Sequence, residues 1–364
     1  MDPLTQGLLG VTASQNLASR SAYQRRVAGI GFLAGMAADL DVLIRSPADP
    51  LLFLEFHRQF THSLVFIPLA GALLGTLLYT LFARKKLPLW QCIVLACAGY
   101  ATHGLLDACT TYGTQLLWPF SSTRIAWNTL SIIDPLYTLP LLALCVLALK
   151  PGRRWAARTA LAWALIYPGI GWIQRDRAEA AGLQLALSRG HRVDQLEAKP
   201  AFANLLLWKT IYRSGETFFV DGIRAGRELR VYPGSSIPRL DIARDLPFLQ
   251  ANSQQAIDLE RFRWFSKGYI ALDPTNPLRV VDIRYSLLPN EIEALWSIEL
   301  APQAPDQHVT FANHRNDARA KSRTLWQMLL GREVVKPQTI ALENTAIEHH
   351  HIDTSTDSQD HNSP

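Results

Sequence analysis

Residues 64–83 read LVFIPLAGALLGTLLYTLFA, a run without a single charge. As a helix it is about 30 Å long, the thickness of a bilayer's hydrocarbon layer, which roughly 20 apolar residues cross. The run therefore predicts a membrane span, and the chain can be read outward from its two ends. On one side lies the polar segment HRQFTHS (57–63). On the other lies the basic triplet Arg84, Lys85 and Lys86.

Further apolar runs follow. Residues 87–106 are apolar apart from His103, residues 130–149 after Asp134, and residues 155–173 apart from Arg158. Four such runs in close succession argue against buried core helices of a water-soluble protein. Residues 3–19 and 27–44 are shorter and more polar, and read as marginal spans or as helices packed among the others. The expected architecture is mainly α: a polytopic membrane bundle of five to six helices over residues 1–173. A smaller soluble α/β domain with short antiparallel strands is expected over 174–302, then a polar, partly disordered tail over 303–364. Alternation and turn residues place strands near 217–221, 228–232, 262–273 and 278–286.

Charge sets the expected orientation. Arg20, Arg25 and Arg26, then Arg84 to Lys86, then Lys150, Arg153 and Arg154 alternate with the spans, and the positive-inside rule assigns them to the cytoplasm. The chain then reads as a multi-pass protein of the bacterial inner membrane, with everything after Gln174 in the periplasm. Asp2 stands where a secretory signal would carry positive charge, so no cleaved signal is expected. Cys92, Cys97, Cys109 and Cys145 lack CxxC spacing and read as small core residues. Membrane lipids are the expected partners, and no nucleic acid is expected.

Ionisable side chains are costly inside a membrane, so His103 and Asp107, one helical turn apart, mark a functional site. The topology brings Asp39, Asp41, His57, His62 and Asp134 to the same outer boundary. Asp39 and Asp41 reach one site only if the second helix, expected over 26–38, gives way at Asp39. Imidazole mixed with carboxylate suits a divalent metal, zinc before magnesium. The candidate ligands are Asp39, Asp41, His57, His62, His103 and Asp107, and the candidate catalytic residues are Asp41, Asp107 and Arg58. Arg58 and Arg124 are natural partners for an anionic substrate group, and Asp107 has Arg124 as an alternative partner to a metal. The reaction expected of such a site is hydrolysis of an ester or phosphoester, a lipid among the candidates, by metal-activated water. The run His349 to His351 reads as an incidental solvated stretch.

These residues occur in a recognisable order: Met1-Asp-x-x-Thr-x-x-x-x-Gly10, Asp39-Leu-Asp41, His57-Arg-x-x-Thr61-His62-Ser63, His103-x-x-x-Asp107, Thr111-Tyr-Gly113 and Pro119-Phe120. Over residues 1–150 the pattern resembles the YdjM/YbcI-type family of membrane-bound proteins assigned as metal-dependent hydrolases. The resemblance implies an inner-membrane helical protein whose His and Asp residues bind metal. It departs at Gln6, where the family carries a histidine. That departure keeps a catalytically inactive scaffold as one alternative. A transporter or proton relay through His103, Asp107 and Asp134 is another, although no internal repeat supports it.

Overall fold

The computed structural model describes residues 1–18, 22–314 and 318–334. Its N-terminal part is helical: α1 (Pro3–Leu17), α2 (Gln24–Met36), α3 (Leu52–Phe56), α4 (Ile67–Leu78), α5 (Leu89–Cys109), α6 (Pro135–Leu147) and α7 (Arg154–Ser188). Local sequence explains where they start. Asp2 caps α1 by accepting from the Thr5 amide at 3.0 Å, with Pro3 in the first turn. Asp134 caps α6 in the same way through the Leu136 amide at 3.1 Å, followed by Pro135.

Among the described residues, Leu64–Ala83 and Leu89–Cys109 are the two helical stretches long and apolar enough to cross a membrane. They form an antiparallel pair in which Gly71 and Gly75 of α4 lie against the backbone of Cys97 and Ile93. The more polar segments near the N-terminus are helices packed through glycine. A Cβ on Gly10 of α1 would stand 2.2 Å from the Gly31 carbonyl oxygen of α2, and one on Gly31 would stand 2.4 Å from that of Gly10. Gly99 of α5 approaches the same Gly31 carbonyl, so three backbones meet without side chains between them. The basic residues gather at one end: Arg26 Nε donates to the Phe82 carbonyl at 2.9 Å, and Lys86 lies 5.5 Å from the Tyr23 ring.

Helix α7 passes residue 173 unbroken. Pro168 within it has no amide to give the Ala164 carbonyl, and the Tyr137 hydroxyl donates to that oxygen at 3.2 Å. The far half of α7 packs on an antiparallel sheet of β1 (Gln195–Pro200), β2 (Leu207–Ser214), β3 (Thr217–Ala225), β4 (Leu229–Tyr232) and β5 (Ser236–Pro238). The order is β1-β2-β3-β4, with β5 on the other part of β3. After α8 (Ile242–Asp245) and α9 (Gln254–Phe265), a second antiparallel sheet runs β6 (Ile270–Asp273), β7 (Asn276–Asp282), β8 (Trp296–Glu299) and β9 (Thr310–Asn313). Helix α10 (Ala318–Leu329) follows. The sheets share a core of Ile211, Phe218, Val220, Ala271, Val281 and Ile283.

Three sequence expectations change here. The strand expected over 262–273 is helix as far as Phe265, because Ser253 caps α9 through the Ala256 amide at 3.3 Å, and the strand begins only at Ile270. Of the four apolar runs expected as spans, 130–149 forms the shorter α6 and 155–173 the less apolar first half of α7, and neither is among the two stretches long and apolar enough to cross. The stretch from 303 contains β9 and α10, while His349 to His351 lie outside the described residues.

The β domain is fused to the helical one. Leu51 and Leu54 share a core with Leu259, Phe262 and Phe265. Arg261 reaches Asp49 at 2.8 Å, and the Tyr285 hydroxyl donates to the Thr111 carbonyl at 2.6 Å. Each buried Leu or Phe in that seam contributes about 1.5–3 kcal/mol. The β domain thereby holds in place the loops at 45–57 and 110–124.

Inside it, Lys209 of β2 is buried, with Nζ donating to Ser286 Oγ and to the Glu291 carbonyl, both at 2.7 Å. Burial pushes the amine down to about 7, against the attraction of Asp282 and Glu291. The unfolded chain keeps that proton up to the ordinary lysine range, about 10.4. The folded state therefore gains stability as pH rises from about 7 and loses it as pH falls through 7. We expect the thermal midpoint to rise between about pH 6 and about pH 9, and Lys209→Met to flatten that slope. An unchanged slope in the variant counts against this account.

Candidate metal centre

Helix α5 carries His103 and Asp107, both fully buried, one turn apart. Between them stands Gly104. A Cβ there would lie 2.4 Å from the His62 carbonyl oxygen, so its absence lets the 57–63 segment rest directly on α5. His103 Nδ1 donates to the Gly35 carbonyl at 2.6 Å, which leaves Nε2 as the bare nitrogen. His62 occupies a short 3-10 turn, Phe60–His62, with Nδ1 held by Thr61 Oγ1 at 2.9 Å and Asp41 Oδ2 at 3.2 Å.

The two bare nitrogens converge on two carboxylates. His62 Nε2 lies 3.2 Å from Asp107 Oδ2 and 3.5 Å from Asp39 Oδ1. His103 Nε2 lies 3.3 Å from Asp39 Oδ1 and 3.6 Å from Asp107 Oδ2. Asp39 gets there because α2 ends at Met36 and Ala37–Leu43 tighten into a 3-10 helix. With three residues per turn, side chains two apart face different ways. Asp39 meets His62 and His103, while Asp41 turns toward His57 and the far side of His62.

Donor chemistry at this point fits a cation. His62 Nε2, His103 Nε2 and Asp107 Oδ2 are buried without a hydrogen-bond partner, and Arg58 Nε, 3.0 Å from Asp107 Oδ2, lacks hydrogen-bond geometry. Orphaned buried polar atoms cost about 1–3 kcal/mol each, a cost that a shared positive ion offsets. One ligand atom from each of Asp39, His62, His103 and Asp107 lies within 4.8 Å of the others, a set that could hold a metal ion.

The electrostatics agree. Burial pulls His62 down, but Asp107, Asp39 and Asp41 push it up to about 10. Burial raises Asp39, yet His103 and His62 hold its carboxyl well below the usual range. A proton on His62 thus takes the place a metal ion would take, and metal binding would release it.

Asp41 and His57 adjoin this set, and with Asp39 they form a second group of possible ligands. Asp41 is heavily engaged: Oδ1 pairs with His57 Nδ1 at 2.8 Å, and Oδ2 accepts from the Arg58 amide at 3.0 Å and Thr61 Oγ1 at 2.7 Å. Its clearest service is to orient two imidazoles, the carboxylate–histidine arrangement found behind metal ligands.

All six predicted ligands therefore meet in one place. The other predicted residues do not all serve as expected. Arg58, in the left-handed region at φ 65°, lies against Asp107 and donates through Nη1 to Thr110 Oγ1 at 3.0 Å. Arg58, not Arg124, is the guanidinium beside Asp107. Arg124 is bound to the carbonyls of Leu54, His57 and Gly113 at 3.0–3.1 Å and covered by Tyr112, Trp264 and Phe265, so it braces the loops. Asp134 is a buried helix cap that accepts from the Tyr167 hydroxyl at 2.9 Å, away from the ligand set.

Gln6 donates through Nε2 to Asp107 Oδ1 at 2.8 Å, where the Met1 amine also lies. It therefore steadies a ligand from behind. Sequence reasoning passed over Gly35 and Gly104, and the signal was present: small residues beside each ligand-bearing turn.

Residues 1–178 match the family model described as YdjM inner membrane protein. Over 108 residues, 29% of this chain, the sequence is 30% identical to the uncharacterized protein YfhP of Bacillus subtilis (strain 168). The chain spans about a third of that relative's length, 32%. No solved structure matches.

Proposed function

Because residues 1–178 carry the signature of the YdjM inner membrane protein family, we propose that this protein is a membrane-bound, metal-dependent hydrolase acting on an ester or phosphoester at the periplasmic boundary. The observation that carries the reading is the set of three orphaned buried ligand atoms, with Asp39 completing it. Two imidazoles and two carboxylates are a donor set that suits zinc. Such an ion supplies Lewis acidity toward an ester or phosphoryl oxygen and toward water.

The chain's own residues do the rest. Asp39, with its side chain 23% exposed, is the part-open member, so substrate reaches the set from its side. His57 is held by Asp41 through Nδ1 and keeps Nε2 to take or return a proton. Exposed Leu40 and Leu43 follow Asp39 on the same 3-10 helix, which favours an amphiphilic substrate such as a lipid ester. The periplasmic side is supported by the gathering of Arg26 and Lys86 at one end of the bundle, near the close of the first span.

Chelation tests the reading. Protein purified in detergent is expected to carry about one divalent ion per chain and to hydrolyse chromogenic phosphodiesters or esters. A strong chelator is expected to remove both the metal and the activity, and added zinc to restore them. Absence of stoichiometric metal from the untreated protein would sink the proposal.

A further inference from the structure

The long helix α7 leaves the apolar run 155–173 at Trp172 and Ile173, both exposed, and Arg175 stacks 4.5 Å over the Trp172 ring. A tryptophan and an arginine at the end of an apolar helix are what a membrane interface selects. Directly beyond this point the β domain is tied to the helix. Gln174 Nε2 donates to the Ala225 carbonyl at 2.7 Å, and Arg177 Nη2 donates to the Gly226 carbonyl at 2.5 Å. The turn between β3 and β4 therefore sits at the height of the boundary.

That turn does not stand alone. Leu229 pairs across from Ala225 and is 52% exposed. Arg224 Nε donates to the Leu329 carbonyl at 2.8 Å, which fixes the end of α10 against the same turn. There Trp326 and Leu330 are 62% and 59% exposed. Around these apolar groups stand Arg227, Arg230, Arg323 and Arg332, all exposed, against the acidic Glu228 and Glu333. Large apolar side chains set among arginines, on a surface continuous with a membrane boundary, match an interface with anionic headgroups over acyl chains.

We propose that the β3–β4 turn and the end of α10 form a footing by which the β domain rests on anionic lipid. The proposal also takes α7, which is less apolar than the two spans Leu64–Ala83 and Leu89–Cys109, as embedded in the membrane over 155–173, and it is independent of the metal centre. Its consequence is a fixed height of the β domain over the membrane, which holds the loops at 45–57 and 110–124 at the level of the acyl–headgroup boundary.

The experiment places a nitroxide at Leu229→Cys, Leu330→Cys, Ile173→Cys and Arg192→Cys of the full chain, with the four native cysteines replaced. Each protein is reconstituted in nanodiscs of phosphatidylcholine alone or with phosphatidylglycerol. Arg192, 94% exposed, follows the far end of α7, some 20 Å beyond the boundary at 1.5 Å per residue. Accessibility to oxygen relative to a water-soluble nickel chelate is expected to be several-fold higher at 229 and 330 than at 192. It is expected to rise with phosphatidylglycerol and to fall when Arg230→Glu and Arg323→Glu are added.

Water-like values at 229 and 330 with a lipid-like value at 173 overturn the footing and leave the span intact. A water-like value at 173 overturns the span on which the proposal rests. Protection at 229 and 330 that ignores lipid composition overturns it in favour of cover by protein. If a cysteine-free background fails to fold, a genetically encoded fluorescent amino acid at the same positions reads the same polarity.

Discussion

His103→Ala is expected to leave a folded protein that no longer holds its metal. The imidazole supplies one of the two bare nitrogens, and its Nδ1 bond to Gly35 is what aims the other nitrogen inward. Loss of groups that merely orient a ligand costs about 10–100-fold in metal affinity, and loss of a ligand itself costs more. Metal content after dialysis is therefore expected to fall from about one ion per chain to nearly none. Circular dichroism should report unchanged helix. Asp41→Asn provides the contrast. It keeps the four-atom set but weakens the hold on His62 and His57, so metal is expected to stay bound in excess zinc and to be lost about 10–100-fold more readily. Equal metal content in His103→Ala and the unchanged protein would refute the assignment of the site.

Gly31→Ala is expected to be a strongly disruptive small change in the bundle. The added Cβ would stand 2.4 Å from the Gly10 carbonyl oxygen and from Ser14 Oγ, and backbone cannot swing aside as a long side chain can. Forcing atoms into a packed site costs about 1–3 kcal/mol, at times more, and here the strain spreads to Gly99 and α5. Gly29→Ala makes the identical chemical change two residues earlier, where the nearest atoms are those of Phe82 at 3.8 Å. There the ordinary helix preference of alanine over glycine applies, a gain of about 0.5–1 kcal/mol. Thermal unfolding in one detergent should move in opposite directions for the two variants. A shared sign would mean that the three-helix glycine contact does not govern stability.

Much of the site was legible because its chemistry is local. His103 and Asp107 share a helix face by spacing alone, and the clustering of His57, His62, Asp39 and Asp41 followed from where charge-free runs begin and end. Arg124 and Asp134 were harder. Arg124 is consumed by three carbonyls, which has no signature in the neighbouring residues, whereas Asp134 is consumed by the start of α6, for which the following Pro135 was the overlooked signal. The strand expected over 262–273 failed for a similar reason. Its alternation was real, but the cap at Ser253 sets a helical frame that only packing against Leu51 and Leu54 completes.

The sequence by itself determined the apolar runs that read as spans, the residue types able to hold a metal, and that these residues stand at the ends of the apolar runs. These depend on composition and on periodicity along one segment, which no distant contact can alter. Tertiary structure alone decided how the residues divide their work. It showed which nitrogen of His62 and His103 is bare, why Asp39 and Asp41 face different neighbours, and that the β domain clamps the loops of the site. Those outcomes rest on hydrogen bonds and close backbone approaches between residues far apart in the chain, such as Gly35 with His103 and Gly104 with His62. A carbonyl oxygen held against a ring nitrogen aims the ring, and no spacing rule contains that information.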